Sequence, residues 1–182
     1  MSRTTTRDIT YAALFTALIA AASLVAIPVG PVPFTLQVLF VLFAGMVLGP
    51  RLGALSVLAY LLLGLVAPVY ASGASGFSAL FGPTGGYLWG FVLAAFVTGL
   101  VSRAATPTLP RFVAAGLLGL APIYVLGAVW LTLQLHLSFG AALATGVAPF
   151  VWLDVLKAVA AGLAARSLLS LPLGLPAPQR DR

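Results

Sequence analysis

The arginines of this chain fall in alternate gaps between apolar segments, and that alternation restricts the fold more than any other feature. Six apolar segments can be marked at 9–27, 34–48, 52–66, 87–101, 112–135 and 148–165. Arg3 and Arg7 precede the first, Arg51 separates the second from the third, and Arg103 and Arg111 separate the fourth from the fifth. Arg166, Arg180 and Arg182 follow the sixth. The connections 28–33, 67–86 and 136–147 contain neither Lys nor Arg. A six-span membrane protein puts every arginine on one side, and the positive-inside rule makes that side cytoplasmic, with both termini inside. Five or seven spans would break the partition.

Composition agrees with a single all-α membrane domain covering 1–182. The chain is 62% hydrophobic and 7% charged, with a mean hydropathy of +1.15, where soluble domains are about 25% charged. Its formal charge of +6 comes from arginines spread singly, which does not form the basic patch a nucleic acid needs. The chain has no cysteine, which excludes thiolate metal sites and disulfides. The first segment follows a basic start but lacks a clear small-residue cleavage site, so it reads as a retained span. Residues 172–182 read as a flexible tail.

Within the sixth segment, FVWLDVLKAVAAGL, stand the only lysine, Lys157, and Asp154. Charges at bilayer depth are costly and point to a partner or a cavity. Helical rise puts Asp154 about 9 Å and Lys157 about 13 Å beyond the start of that segment. Spaced three apart they share a helix face, which continues through the small residues Ala158, Ala161, Gly162 and Ala165. Small residues allow close helix approach, so this face is expected to point into the bundle. The pair either staples the bundle or lines a ligand cavity.

Other polar groups are expected on the opposite side from the arginines. Thr35 and Gln37 open the second segment, and Thr84 and Tyr87 open the fourth. Helix capping or interfacial anchoring would also explain Thr35, Thr84 and Tyr87, whereas an amide inside an apolar turn needs a partner. The uncharged connection 67–86 carries Tyr70, Phe77 and Phe81. Its length and apolarity mark a loop folded over the mouth of the bundle. Trp89, Trp130 and Trp152 fit an aromatic belt.

No GxxxxGK[ST] loop is present, so the chain cannot hydrolyse ATP by that route. Gly73-Ala74-Ser75-Gly76 matches the G-x-S-G of rhomboid-type intramembrane proteases, with His136 as the only histidine to serve as base. Such tetrapeptides are common in Gly/Ser-rich loops. Ala13, Ala17 and Ala21 recur at four-residue intervals in the first segment, a pattern that serves either internal packing or docking of another membrane protein.

IPVGPVPFTLQ (27–37), LGPRLGALSVLAYLLLG (48–64), PVYASGASGF (68–77), GPTGGYLWGF (82–91) and PFVWLDVLKA (149–158) together resemble, in order and spacing, the BioY family. These are biotin-specific S subunits of energy-coupling-factor (ECF) vitamin transporters. The resemblance implies a six-helix, all-α subunit of the cytoplasmic membrane that captures biotin from outside with high affinity. It implies as partners a transmembrane coupling subunit and two ATPase subunits, with docking through Ala13-Leu14-Phe15-Thr16-Ala17. No cofactor is implied. Asp154 can accept from the N–H groups of the ureido ring, and Lys157 can donate to a carbonyl or carboxylate. Thr35, Gln37, Tyr70, Phe77, Thr84 and Tyr87 would complete the site. The family usually has Pro-Gly before the acid, where this chain has Trp152-Leu153, so the helix start is expected to be more regular or Trp152 to line the pocket. An alternative reading is a self-sufficient carrier that couples biotin or another small acid to protons through Asp154.

Overall fold

Thr5 and Asp8 start the first helix with a reciprocal cap. In the computed structural model, which describes residues 5–104 and 108–171, the Thr5 N–H donates to Asp8 Oδ2 at 2.9 Å and the Asp8 N–H to Thr5 Oγ1 at 3.3 Å. Two donors that the helix leaves unpaired are thereby satisfied. Arg3, Arg180, Arg182 and the tail expected at 172–182 lie outside the described residues.

Helix α1 spans Thr6–Ser23, ending short of the position 27 expected from hydropathy. Strands β1 (Ala26–Val29) and β2 (Val32–Thr35) follow as an antiparallel hairpin, with Ile27 opposite Phe34 and Val29 opposite Val32. Proline chemistry is the cause. Pro28, Pro31 and Pro33 each push the preceding residue out of the helical region, and Gly30, at φ 67°, supplies the turn.

The remaining helices are α2 (Gln37–Leu48), α3 (Pro50–Val66), α4 (Gly76–Leu80), α5 (Gly85–Arg103), α6 (Leu109–Leu135), α7 (Phe139–Gly146) and α8 (Val151–Leu169), with a 3₁₀ turn at Ala71–Gly73. Among the described residues, three helical segments are long and apolar enough to cross a membrane: Pro50–Gly73, Gly85–Arg103 and Leu109–Leu135. α7 and α8 make a fourth if taken as one span bent by 53°. The twelve residues of α2 reach only about 18 Å. Length and composition alone therefore mark three or four spans where the arginines mark six. The expected sixth segment, 148–165, is displaced toward the C-terminus because the chain breaks between Gly146 and Val151, next to Pro149.

α5 packs against α2, α3 and α6, α8 packs against α2 and α6, and α1 lies on α2 and α3. Glycine permits the tightest crossings: a Cβ on Gly45 would overlap the Ala95 carbonyl, and one on Gly99 would overlap the backbone of Pro50. Hydroxyls tie the helices further, with Thr16 Oγ1 donating to the Ser56 carbonyl at 2.8 Å and Ser23 Oγ to the Val69 carbonyl at 2.7 Å. The outer faces carry exposed Leu62, Leu133, Leu156 and Leu163, side chains suited to contact with acyl chains.

The 67–86 connection is held down at several points. Tyr70 is buried and donates to the Leu61 carbonyl at 2.6 Å. From α6, Trp130 Nε1 donates to the Gly82 carbonyl at 2.9 Å and Gln134 Nε2 to the Phe81 carbonyl at 3.0 Å. The connection thus packs on the bundle end where α2, α5 and α8 begin. At the opposite end, Arg103 Nη2 donates to the Val47 carbonyl at 3.3 Å.

Candidate ligand cavity

The late starts of α2 and α8 leave a space beneath the hairpin and the 67–86 connection. It is a cavity of about 240 Å³, close to the lower end of the ~300–1,000 Å³ of typical ligand pockets. The walls are mostly apolar and aromatic, including Phe34, Tyr70, Tyr87, Leu88, Phe91 and Phe150. Polar groups gather at the α8 side.

Asp154 stands in the first turn of α8 and Lys157 one turn on; both are buried. Lys157 Nζ is 2.6 Å from Asp154 Oδ1 and donates to the Thr35 carbonyl at 2.7 Å. The ammonium also lies 3.9 Å from the centre of the Phe34 ring, within cation–π range. Asp154 Oδ2 accepts from the Tyr124 hydroxyl at 2.7 Å. Beyond Asp154 the same helix face, Ala158, Ala161, Gly162 and Ala165, is buried. The sequence spacing therefore does place this face inward.

On the far side of Lys157 the polar chain continues. Thr35 Oγ1 donates to Gln37 Oε1 at 3.2 Å, and Gln37 Nε2 donates to the Tyr60 hydroxyl at 2.6 Å. One network thus joins α6, α8, β2, α2 and α3 across the cavity. Among the described residues no buried side-chain nitrogen or oxygen lacks a partner, which is what a low-dielectric site requires.

Of the residues singled out in the sequence, Asp154, Lys157, Thr35, Gln37, Tyr70, Thr84 and Tyr87 all line this cavity. Thr84 occupies the N-cap position of α5 yet makes no side-chain cap bond. Tyr87 donates to the Gly146 carbonyl at 2.9 Å, satisfying an acceptor at the end of α7. Phe77 does not join them: it is 68% exposed and stacks on Phe81 with ring centres 6.2 Å apart. Trp152 is also outside the cavity, 59% exposed on a helix that is regular from Val151. Ser75, of the tetrapeptide that resembles a protease motif, is exposed at the start of α4 and is no part of the cavity wall. Ala13 and Ala17 lie far along the chain from the site, exposed on the outer face of α1.

Sequence reasoning missed Tyr124. The argument that drew attention to Gln37 applies equally to a phenol in the middle of an apolar helix, since its hydroxyl also needs a partner. Phe34, Phe91 and Phe150 carried no such signal, because an aromatic ring in an apolar segment reads the same on either face.

The sequence profile described as the BioY family matches residues 1–172. The biotin transporter BioY of Thermotoga maritima is 45% identical over 166 residues, covering 91% of this chain and 97% of that protein. The probable biotin transporter BioY of Pyrococcus horikoshii is 40% identical, covering 89% and 96%. In structure, the chain is similar to a crystal structure described as the S-component for biotin from an ECF-type ABC transporter, with a TM-score of 0.85 and 30% sequence identity over 91% of this chain and 92% of that one.

Proposed function

The chain belongs to the BioY family, and from that premise we propose that it captures biotin for uptake across the membrane, as the substrate-binding subunit of an ECF-type transporter. The observation that carries this reading is a buried donor and a buried acceptor 2.6 Å apart on the wall of an otherwise apolar, aromatic cavity. Biotin has the matching chemistry. Its ureido ring is neutral with two N–H donors and one carbonyl, its thioether ring and chain are apolar, and a carboxylate ends it. Ionised Asp154 only accepts and Lys157 only donates, so one ligand group offering both can engage the pair together. Thr35, Gln37 and Thr84 offer further polar contacts, and Tyr70 and Tyr87 cover the apolar part.

The cavity is lined by residues at the starts of α2, α5 and α8, whereas Arg103 sits beside the end of α2, and by the positive-inside rule the alternating arginines support a site on the outer side of the cytoplasmic membrane. Capture from outside follows. The chain has no phosphate-binding loop, and energy would come from a transmembrane coupling subunit carrying two ATPase subunits. Exposed Ala13 and Ala17 give α1 a smooth face on which such a subunit could seat closely.

Equilibrium binding of labelled biotin to the purified chain tests the reading, with desthiobiotin, lipoate and thiamin as competitors. Sub-micromolar binding that biotin displaces and thiamin does not is the expected result. Absent or millimolar binding would overturn it.

A further inference from the structure

Resting on the biotin-capture reading, we infer that Tyr124 is a positioning residue that fixes the carboxylate of Asp154 in the orientation the ligand meets. The two carboxylate oxygens are divided between two helices: Oδ1 faces Lys157 of α8 at 2.6 Å, and Oδ2 faces the Tyr124 hydroxyl of α6 at 2.7 Å. The last torsion of an aspartate is broad and nearly two-fold. With Lys157 alone, either oxygen could take the ammonium and the carboxylate plane could turn. Anchored at both oxygens, the plane is fixed, and so are the lone pairs left for a ligand.

The direction of the proton adds selectivity. An ionised carboxylate only accepts, so the phenol proton is committed to Asp154 and the phenol oxygen keeps only its acceptor capacity. Asp154 therefore meets a ligand as a fixed acceptor, with the Lys157 donor adjoining. That pattern suits a neutral group that carries both an N–H donor and a carbonyl. A second carboxylate facing Asp154 would meet an acceptor and be disfavoured. The support is rigid: Tyr124 follows Ile123, which is fully enclosed, and Gly90 of α5 packs so close that a Cβ there would lie 2.8 Å from Ile123 Cα. A site held by a packed helix is held more accurately than one on a loop.

The test compares equilibrium binding of labelled biotin by the purified wild-type chain, by Tyr124→Phe, and by a chain with 4-aminophenylalanine at 124, which keeps a donor of similar reach. Tyr124→Phe is expected to weaken binding about 10-fold or more, as for loss of a hydrogen bond to a charged group. The amino variant is expected to recover most of that loss, which ring packing alone would not achieve. Binding by Tyr124→Phe within twofold of wild type would overturn the inference, as would an amino variant no better than Phe. A Tyr124→Phe chain that does not fold would mark the hydroxyl as structural and overturn it too. Failure of the wild type to bind biotin strikes the capture reading itself, and this inference falls with it.

Discussion

Lys157 Nζ lies 3.9 Å from the centre of the Phe34 ring, so the single lysine of the chain both neutralises Asp154 and clasps the hairpin that roofs the cavity. The first strand of the hairpin is exposed at Ile27 and Val29, and the second is held by buried Val32 and Thr35 as well as by this contact. Lysine at this position therefore couples the floor of the site to its cover.

Removing one member of the Asp154–Lys157 pair leaves a buried charge with less compensation, which typically costs about 3–5 kcal/mol. Lys157→Met is expected to lower stability by an amount of this order and to abolish biotin binding. Asp154→Asn combined with Lys157→Met is expected to be more stable than the sum of the single losses, because no lone charge remains. Thermal unfolding of the four proteins in detergent gives the cycle. Strict additivity would mean that the ion pair contributes no coupling.

Tyr60 is fully buried, and its hydroxyl accepts from Gln37 Nε2 at 2.6 Å. Tyr60→Phe leaves that amide donor without its partner at an expected cost of about 1–3 kcal/mol. Gln37→Leu in the same background replaces both ends by apolar groups and should recover part of the loss. Chemical or thermal unfolding reads both. A double variant less stable than Tyr60→Phe alone would show that the lost Thr35 Oγ1 donation to Gln37 Oε1 outweighs the relief of the amide.

The 67–86 connection is pinned to α6 through Trp130 and Gln134. Trp130→Phe removes one pin while keeping an aromatic ring beside Phe81, whose ring centre is 6.5 Å from that of Trp130. A neutral hydrogen bond of this kind is worth about 0.5–1.5 kcal/mol, so a looser cover should release bound biotin roughly 2- to 10-fold faster by the same measure. Stopped-flow chase of labelled biotin measures this. Unchanged dissociation would place the ligand's exit elsewhere than under this loop.

Which parts of this architecture can be read from the sequence depends on whether a local rule governs them. The inward face of α8 is legible because Asp154, Lys157, Ala158, Ala161 and Ala165 repeat at helical spacing, and charge and small size both mark a protein-facing surface. The hairpin is not, because hydropathy gives its ends, such as Ile27 and Phe34, to the flanking spans and leaves 28–33 as a bare connection, with apolar residues that read the same in strand and loop. Tyr70 and Phe77 are equivalent in the sequence, both aromatic in one uncharged loop. Tertiary contacts separate them: Tyr70 nests against Gly64, where a Cβ would overlap its ring, and finds the Leu61 carbonyl, whereas Phe77 has no polar atom to satisfy and stays on the outside. Tyr124 meets Asp154 across 30 positions of chain, a pairing no local pattern encodes.

Ala13 and Ala17 lie on the exposed side of α1, while Phe15, Thr16 and Ile19 face inward. Internal packing therefore does not require the alanines to be small. If this face seats a coupling subunit, Ala13→Trp or Ala17→Trp should prevent close helix approach. Substitutions on such a surface usually change stability by less than about 0.5 kcal/mol, and the cavity is formed by other elements, so biotin affinity should stay within twofold of wild type. Co-purification with the coupling and ATPase subunits should fall together with biotin uptake in cells. Full uptake by Ala17→Trp with intact assembly would move the docking surface off α1, while loss of biotin binding by the isolated variant would show that α1 supports the cavity after all.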